Sequence, residues 1–525
     1  MEIETAAIVE LLLLLLIAAS LIAMVTRRLQ IPYTIALVFG GFLIDVFHLP
    51  IVERMGPEGS TAGWLTPEII FMVFLPGLLF EAGININVRK LLENLAPILT
   101  IAIFGVLIAT LVTGYAVHRL TGLELLPAMV FGALISATDP ISVLALFKQL
   151  GVSKRLSTIV EGESLFNDGT AVVLFQILLA ATATGDIEPG EGIGRFFVVA
   201  LGGLAIGLTL AYVASRVTAH VDDPQIEITL TTIVAYGSFL LAEHLHLSGV
   251  IATVGAGLTI GNFGAQVGMS SRTKVAVWSF WEYVGFVINS LVFLLIGIEV
   301  HIVDLLGYWQ PILLAIAATL VGRVLCVYTL TPVVNRFTEP VPTSWQHVLT
   351  WGGVHGGVSI ALALSLTMDF PERGLILAMT FGVVAFSIVV QGLTISPLMR
   401  WLGISMGDED EYDQIRVRQM AVASAQTELE ALRNRQILTG PVYQKLRAEL
   451  EQAQAQVEDR VQTLHQENAH WAEEEERVAR SQLIRAEKAA IQRAVTDGLI
   501  SGHTAEEMAA KADQQLEKLV GPPGH

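Results

Sequence analysis

Apolar residues along this chain fall into about thirteen runs of some twenty residues, near positions 5–26, 31–49, 66–83, 95–118, 124–147, 156–181, 193–215, 226–244, 247–263, 274–299, 310–335, 345–368 and 374–402. A helix of that length spans the roughly 30 Å hydrocarbon core of a bilayer. The pattern predicts an all-α polytopic membrane protein of about thirteen transmembrane helices over residues 1–402. Beyond Arg400 the composition turns to Glu, Gln, Ala, Arg and Lys, opening with Asp408-Glu409-Asp410-Glu411, and predicts a helical tail over 403–525.

Two of the runs are interrupted. The fifth holds Ser136-Ala137-Thr138-Asp139-Pro140, where Pro140 supplies no amide for the Ser136 carbonyl and pushes Asp139 away from helical dihedrals. The twelfth holds Gly352-Gly353-Val354-His355-Gly356-Gly357, whose glycines weaken a helix. Singly, each interruption is also what a proline kink or small-residue packing produces. Together they divide the chain into two copies, runs 1 to 6 and 8 to 13, joined by run 7, each broken in its fifth element. This predicts two inverted six-helix repeats with broken helices 5 and 12 and a binding site at the bilayer midplane.

Composition agrees with a membrane protein, with 53% hydrophobic and only 15% charged residues. Assigning alternate loops to one side collects about twelve Lys and Arg side chains there against about four on the other. The richer side is expected to be cytoplasmic, which places the N-terminus outside and the tail inside the plasma (inner) membrane. The start of the chain lacks a basic n-region, and the Leu11–Ala23 run leads to Arg27-Arg28 without a small-residue cleavage site, so the first helix is expected to be retained. A net charge of −18 without a basic footprint argues against nucleic acid as a partner. No Gly-x4-Gly-Lys-Ser/Thr loop supports an ATP-driven pump. The single cysteine, Cys326, stands in an apolar run and reads as a buried thiol that forms no intrachain disulfide.

Charges inside the runs carry the chemistry, because an ionised side chain at the bilayer centre costs about 2.5–3.5 kcal/mol even on a lenient scale and persists only beside a cavity or a partner. The sixth run contains Glu161-Gly-Glu-Ser-Leu-Phe-Asn-Asp-Gly-Thr170. On a helix Ser164 and Asp168 share one face, with Glu163 and Asn167 as a parallel, adjacent pair. That stripe, the Asp139 carboxylate and the freed carbonyl near Thr138 supply the oxygens that a hard cation such as sodium requires. Proton and cation then compete for Asp168, and the competition alone couples their fluxes. Arg323, in the middle of the eleventh run, needs a counter-charge, and Glu163 is its natural partner if runs 6 and 11 pack together. Glu81 closes the third run, either in an ion funnel or as an interfacial carboxylate in water. Glu161, Glu227, Glu243 and Glu282 lie near run ends, where solvation is expected. His355 reads either as a proton-sensitive switch at the second break or as a polar group satisfying loose backbone.

Thr138-Asp139-Pro140, Glu161 to Gly169, Phe74-Leu-Pro-Gly-Leu-Leu-Phe-Glu81, Leu241-Ala-Glu-His-Leu-His-Leu-Ser-Gly249 and Phe293-Leu-Leu-Ile-Gly-Ile-Glu299 resemble the sodium/proton antiporters of the NhaP and NHE type, the first branch of the monovalent cation/proton antiporters. The likeness spans residues 1 to about 402. It implies a secondary transporter, not an enzyme, with no cofactor, exchanging Na+ (and Li+) for H+ by alternating access in sodium export and pH homeostasis. It implies that Asp168 and Asp139 are the Na+ and proton carboxylates and that Ser164 and Thr138 complete the shell. Asn167 would hold the broken helices in register, and Glu163 with Arg323 would be the stabilising pair. The Asn167-Asp168 pair, in place of two adjacent aspartates, implies electroneutral one-for-one exchange. The resemblance further implies a homodimer with a dimerisation domain and a moving core. One departure stands out: many members carry arginine where this chain has His355, which makes His355 a candidate modulator of the pH response.

Two other readings were open to such a sequence. A channel needs a repeated filter segment, and none is present; a membrane sensor would use the tail but leaves the intramembrane charges without a role. The tail itself predicts helices near 412–438, 442–496 and 504–519. Leu450, Val457, Leu464, Trp471 and Val478 recur every seven residues, with Leu446 and Ala453 beside them, as in a coiled coil or helical hairpin. Glu473 to Glu476 point in different directions on a helix and read as a solvated face rather than a calcium site.

Overall fold

Proline, glycine and a few side-chain caps decide where the apolar runs become separate helices. The computed structural model of the protein describes residues 5–29, 33–47, 70–150, 152–184, 189–219, 221–299, 307–404 and 408–467, with isolated positions between 476 and 508. The chain divides into two units, Met1–Met406 and Gly407–His525. The described elements of the first unit begin with α1 (Thr5–Leu29), α2 (Tyr33–Val46), α3 (Leu75–Asn85), α4 (Val88–Glu93) and α5 (Leu95–Thr121). Next come α6 (Leu125–Ile135), α7 (Ile141–Leu150), α8 (Lys154–Thr184), α9 (Pro189–Thr218), α10 (Pro224–His244) and α11 (Gly249–Thr259). The last are α12 (Ser271–Glu299), α13 (Trp309–Val334), α14 (Thr343–Trp351), α15 (Gly357–Leu364) and α16 (Arg373–Trp401).

Among the described residues seven helices are long and apolar enough to cross a membrane, namely α5, α8, α9, α10, α12, α13 and α16, joined by shorter apolar helices in α1, α2, α3, α6 and α11. Runs 5 and 12 are each two short helices, α6 with α7 and α14 with α15, separated by non-helical backbone. The caps follow local chemistry. Asp223 accepts the Gln225 and Ile226 amides at 2.9 and 3.2 Å, and Pro224 takes the first helical position of α10. Ser248 accepts the Ile251 amide at 3.2 Å to open α11. α5 ends on Gly122, whose φ of 79° lies in the left-handed region. Wide π turns at Ile70–Phe74, Thr100–Gly105, Ile260–Gly264 and Ser387–Gln391 are features that the hydropathy pattern does not reveal.

Helix packing rests on small residues that let backbones meet. α2 lies against α12, α9 against α11, and α5 against α6 and α13. Where α2 crosses α12, a Cβ on Gly297 would strike the Val38 carbonyl oxygen and stand 2.9 Å from the Gly41 Cα, while one on Gly41 would strike the Leu294 carbonyl oxygen. Such contacts replace the hydrophobic drive that lipid cannot supply. Phe197, Val198, Leu201, Leu208 and Val213 of α9 are exposed, an apolar face suited to acyl chains. Cys326 is buried on α13, where a Cβ on Gly105 of α5 would meet its sulfur.

One expectation is corrected. Glu227, placed in water at a run end, is 0% exposed. The reason is that α10 packs against both α9 and α12, and Trp281 of α12 reaches over to donate to Thr231 Oγ1 at 3.1 Å.

In the second unit α17 (Asp408–Asn434) and α18 (Gly440–Glu467) form an antiparallel hairpin. Tyr443 donates to Glu430 Oε1 at 2.5 Å, Arg433 stacks over the Tyr443 ring at 4.4 Å, and Gln426 bonds Gln454 at 2.7 Å. Gly440-Pro441 starts the second helix of this hairpin, as proline at a first turn does. Leu464 lies in α18, but its side chain, like Trp471, Val478 and most of the helix expected at 504–519, lies outside the described residues.

Gly297→Val is expected to destabilise the first unit by about 1–3 kcal/mol through overpacking, read as a lower thermal unfolding midpoint of the purified protein in detergent. An unchanged midpoint would contradict the close crossing of α2 and α12.

Candidate functional site

The two interruptions meet. α6 ends at Ile135, and Pro140 keeps residues 137–139 out of helical bonding before α7. α14 ends at Gly352, and residues 353–356 run on without helical bonding to α15. The two non-helical segments bond directly: the Asp139 amide donates to the Val354 carbonyl at 2.6 Å. His355 Nδ1 donates to the Ala137 carbonyl at 3.0 Å, and Ser359 Oγ donates to the same oxygen at 3.3 Å. Gly356 is a glycine for a steric reason, since a Cβ there would stand 2.5 Å from Asp139 Oδ2. Asp139 also caps α7, its Oδ1 accepting the Ile141 amide at 3.0 Å.

α8 runs past this crossing and holds it. Asn167, 0% exposed, accepts the Thr138 amide at 3.3 Å and donates from Nδ2 to Thr138 Oγ1 at 2.6 Å and to Glu163 Oε1 at 3.0 Å. One amide thus ties the first break to the α8 stripe. Glu163 in turn receives Arg323 of α13 in a fork, Nη1 to Oε1 at 2.8 Å and Nη2 to Oε2 at 3.0 Å. The guanidinium also donates from Nε and Nη2 to the Leu349 carbonyl of α14 at 3.1 and 2.9 Å. A continuous chain of bonds therefore runs from the first break through α8 and α13 to the helix entering the second break.

Asp168 stands apart from that chain. It is buried, its Oδ1 has no hydrogen-bond partner, and its charged neighbours are Asp139 and Glu163. Glu163 is already answered by Arg323, so the negative charge left over belongs to Asp168 and Asp139. Ser164 donates its hydroxyl hydrogen to the Thr138 carbonyl, which leaves the Ser164 lone pairs available to a cation. The donor set is carboxylate and hydroxyl oxygen, the preference of a hard monovalent cation. Behind the crossing lies a cavity of about 20 Å³ bordered by Ser136, Thr138, Thr319, Arg323 and His355 among others.

Of the residues singled out in the sequence, Asp168, Asp139, Ser164, Thr138, Asn167, Glu163, Arg323 and His355 gather around the crossing. Glu81 stands elsewhere, on α3, where its Oε1 accepts Asn85 Nδ2 at 2.8 Å and its side chain faces Gly285 of α12. Three site residues went unnoticed in the sequence. Ser359 bonds Ala137, Ser387 Oγ accepts the His355 amide at 3.0 Å, and Gln391 donates to the Trp351 carbonyl at 3.0 Å. The signal was available: each is a polar side chain in an apolar run, and Ser387 and Gln391 bound the π turn of α16 that turns both toward the second break.

The family described as "Sodium/hydrogen exchanger, transmembrane" matches residues 13–401. The Na(+)/H(+) antiporter NhaG of Bacillus atrophaeus is 38% identical over 511 residues, covering 96% of each chain. The Na(+)/H(+) antiporter NhaH of Halobacillus dabanensis is 41% identical over 400 residues, 75% of this chain and 98% of its own. Among solved structures, the sodium proton antiporter MjNhaP1 of Methanocaldococcus jannaschii at pH 8 superposes with a TM-score of 0.62 at 20% identity, over 76% of this chain and 99% of that one. That likeness concerns the fold.

Glu163→Ala leaves Arg323 buried without a counter-charge, a change that typically costs about 3–5 kcal/mol. The expected outcome is a lower unfolding midpoint with little change in the cation affinity of the protein that remains folded. Intact stability with lost affinity would instead make Glu163 a direct ligand.

Proposed function

This chain belongs to the sodium/hydrogen exchanger family, and we propose that Asp168 carries sodium and a proton by turns across the membrane. The protein is a secondary transporter, a sodium/proton antiporter of the NhaP/NHE type. The observation that carries the reading of the site is the Asp168 carboxylate, buried with one oxygen unpartnered where two non-helical segments cross.

The mechanism follows from the cost of an uncompensated charge. With Na+ or H+ bound, Asp168 is neutralised and the site can pass between its two openings. Empty, it retains a charge that low-dielectric surroundings penalise, so the loaded forms move and the empty one does not. Sodium leaving on one side and a proton arriving from the other is then the productive cycle. Asp139, Ser164 and Thr138 complete the oxygen shell, and Li+, also a hard cation, fits the same donors. Because Asn167 is neutral, one carboxylate gains and loses one charge per cycle, which favours electroneutral one-for-one exchange. Asn167 holds the broken helices in register, while Glu163 and Arg323 stiffen the elements around them. Glu81 lies on the cation's approach as a funnel residue.

The wider arrangement in this proposal is thirteen spans in two inverted repeats, broken in helices 5 and 12, with dimerisation and core subdomains interleaved over residues 1–402. The chain acts as a homodimer in the plasma (inner) membrane, N-terminus outside, with residues 403–525 a cytoplasmic regulatory tail. The asymmetry of loop cations supports that orientation. The physiological result is sodium export and pH homeostasis.

In everted vesicles Asp168→Asn is expected to abolish sodium-driven proton flux while the variant still reaches the membrane; full activity would assign transport to another carboxylate. In the same vesicles, clamping the membrane voltage leaves wild-type initial rates unchanged if exchange is electroneutral, and a voltage-dependent rate contradicts the stoichiometry.

His355 joins the two breaks through Ala137 and is proposed to modulate the pH response. His355→Arg is expected to shift the pH profile of exchange, and an unchanged profile removes the role.

A further inference from the structure

Away from Asp168, a second carboxyl is buried even more completely. Glu227 in the first turn of α10 is 0% exposed, and neither of its oxygens has a hydrogen-bond partner. An ionised carboxylate so placed keeps its whole desolvation penalty.

Among the described polar side chains on the packed helices, only the Thr273 hydroxyl faces the carboxyl. Thr273, in the first turn of α12, is its polar neighbour, and its single hydroxyl hydrogen is shared between the Glu227 carboxyl, the Ser270 carbonyl at 3.1 Å and Ser270 Oγ at 3.2 Å. Thr231, one turn along α10 on the same face, donates to the Ile228 carbonyl at 2.9 Å and accepts Trp281 Nε1. At the end of α9, Ser215 donates to the Ala211 carbonyl at 2.7 Å and Thr218 to the Ser215 carbonyl at 3.0 Å. All four are buried. Apart from Thr273, hydroxyls committed in this way present lone pairs rather than protons.

Nearby charge does not help either. Asp222 and Asp223, just ahead of α10, carry the same sign as an ionised Glu227. Of the cations on the packed helices, Arg216 of α9 bonds the Tyr212 hydroxyl at 3.1 Å, Lys274 of α12 lies over the Trp278 ring at 5.3 Å, and Arg272 is exposed. Glu282 of α12 is exposed, α3 contributes only Glu81, bonded to Asn85, and α11 has no charged side chain.

We infer that Glu227 is a second proton-binding site: in the folded protein its carboxyl keeps a hydrogen, with Thr273 Oγ1 as its hydrogen-bond partner. The site goes beyond the transport reading and does not depend on it. Stripping that hydrogen at alkaline pH would leave an unpaired charge among α9, α10 and α12. The bundle therefore acquires a pH response separate from the competition at Asp168. The sign follows from the protonated native form: its contribution to stability is present at acidic pH and is lost as pH rises through the titration of Glu227.

Infrared difference spectra of the lipid-reconstituted protein between acidic and alkaline buffer test this. A carboxylic C=O component from Glu227 is expected in wild type, retained in Asp168→Asn and missing in Glu227→Gln, in which the Asp168 component remains. Because the band persists without Asp168, failure of the transport assignment would leave this result untouched. Should Glu227→Gln fold poorly, Thr273→Val keeps the carboxyl and is expected to shift its band by removing that partner. Thermal unfolding gives a second readout, in which Glu227→Gln flattens the fall of the midpoint toward alkaline pH. A band indifferent to Glu227→Gln or Thr273→Val, or an unchanged alkaline fall, overturns the inference.

Discussion

The fork between Arg323 and Glu163 is the interaction on which the site depends. Neither charge is tolerable alone at that depth, and each satisfies the other with two bonds of 2.8 and 3.0 Å. By answering Glu163 fully, Arg323 leaves Asp168, four positions beyond Ser164 on the same helix, as a carboxylate without a built-in partner. The same guanidinium holds the Leu349 carbonyl, and Glu163 holds Asn167, so one ion pair sets the spacing of α8, α13 and α14. In the proposed mechanism, selectivity for exchange over leakage rests on this division: one carboxylate is locked and another is left to be neutralised from outside.

Movement requires that the remainder of the site be less rigid than its frame. Residues 137–140 and 353–356 lack helical bonding and are held by a small number of cross-bonds, chiefly Asp139 to Val354, His355 to Ala137 and Asn167 to Thr138. Non-helical backbone is tolerated at such depth where it is enclosed by protein, as it is here by α8, α13 and α16. A few hydrogen bonds, each worth about 0.5–1.5 kcal/mol net, can be re-formed in a second arrangement more readily than a packed helix can be unwound. The crossing is thereby suited to an element with two states, while α8 keeps its register.

Features governed by local chemistry were legible in the sequence, and those governed by contact between distant segments were not. Pro140 and the glycines from 352 to 357 announce breaks because they act on their own backbone. Arg323 announces a need for charge because it lies in an apolar run. By contrast, the bond from Asp139 to Val354 joins residues of different helices, and no local pattern encodes it. The roles of Ser387 and Gln391 depend on a π turn that rotates their faces, which a simple helical period misplaces. Glu227 lies near the end of an apolar run, where hydropathy places a carboxylate in water; the packing of α10 against α9 and α12 buries it instead. In the tail, the gap expected between helices at 438 and 442 is closed by Gly440-Pro441, which open the second helix.

The central claim is that sodium and a proton exclude one another at Asp168. Titrating sodium into weakly buffered, purified protein while counting the protons released tests it without the complications of transport. The account predicts one proton released for each sodium bound, with the release vanishing where sodium no longer binds. Sodium binding of undiminished strength with no proton released would contradict it.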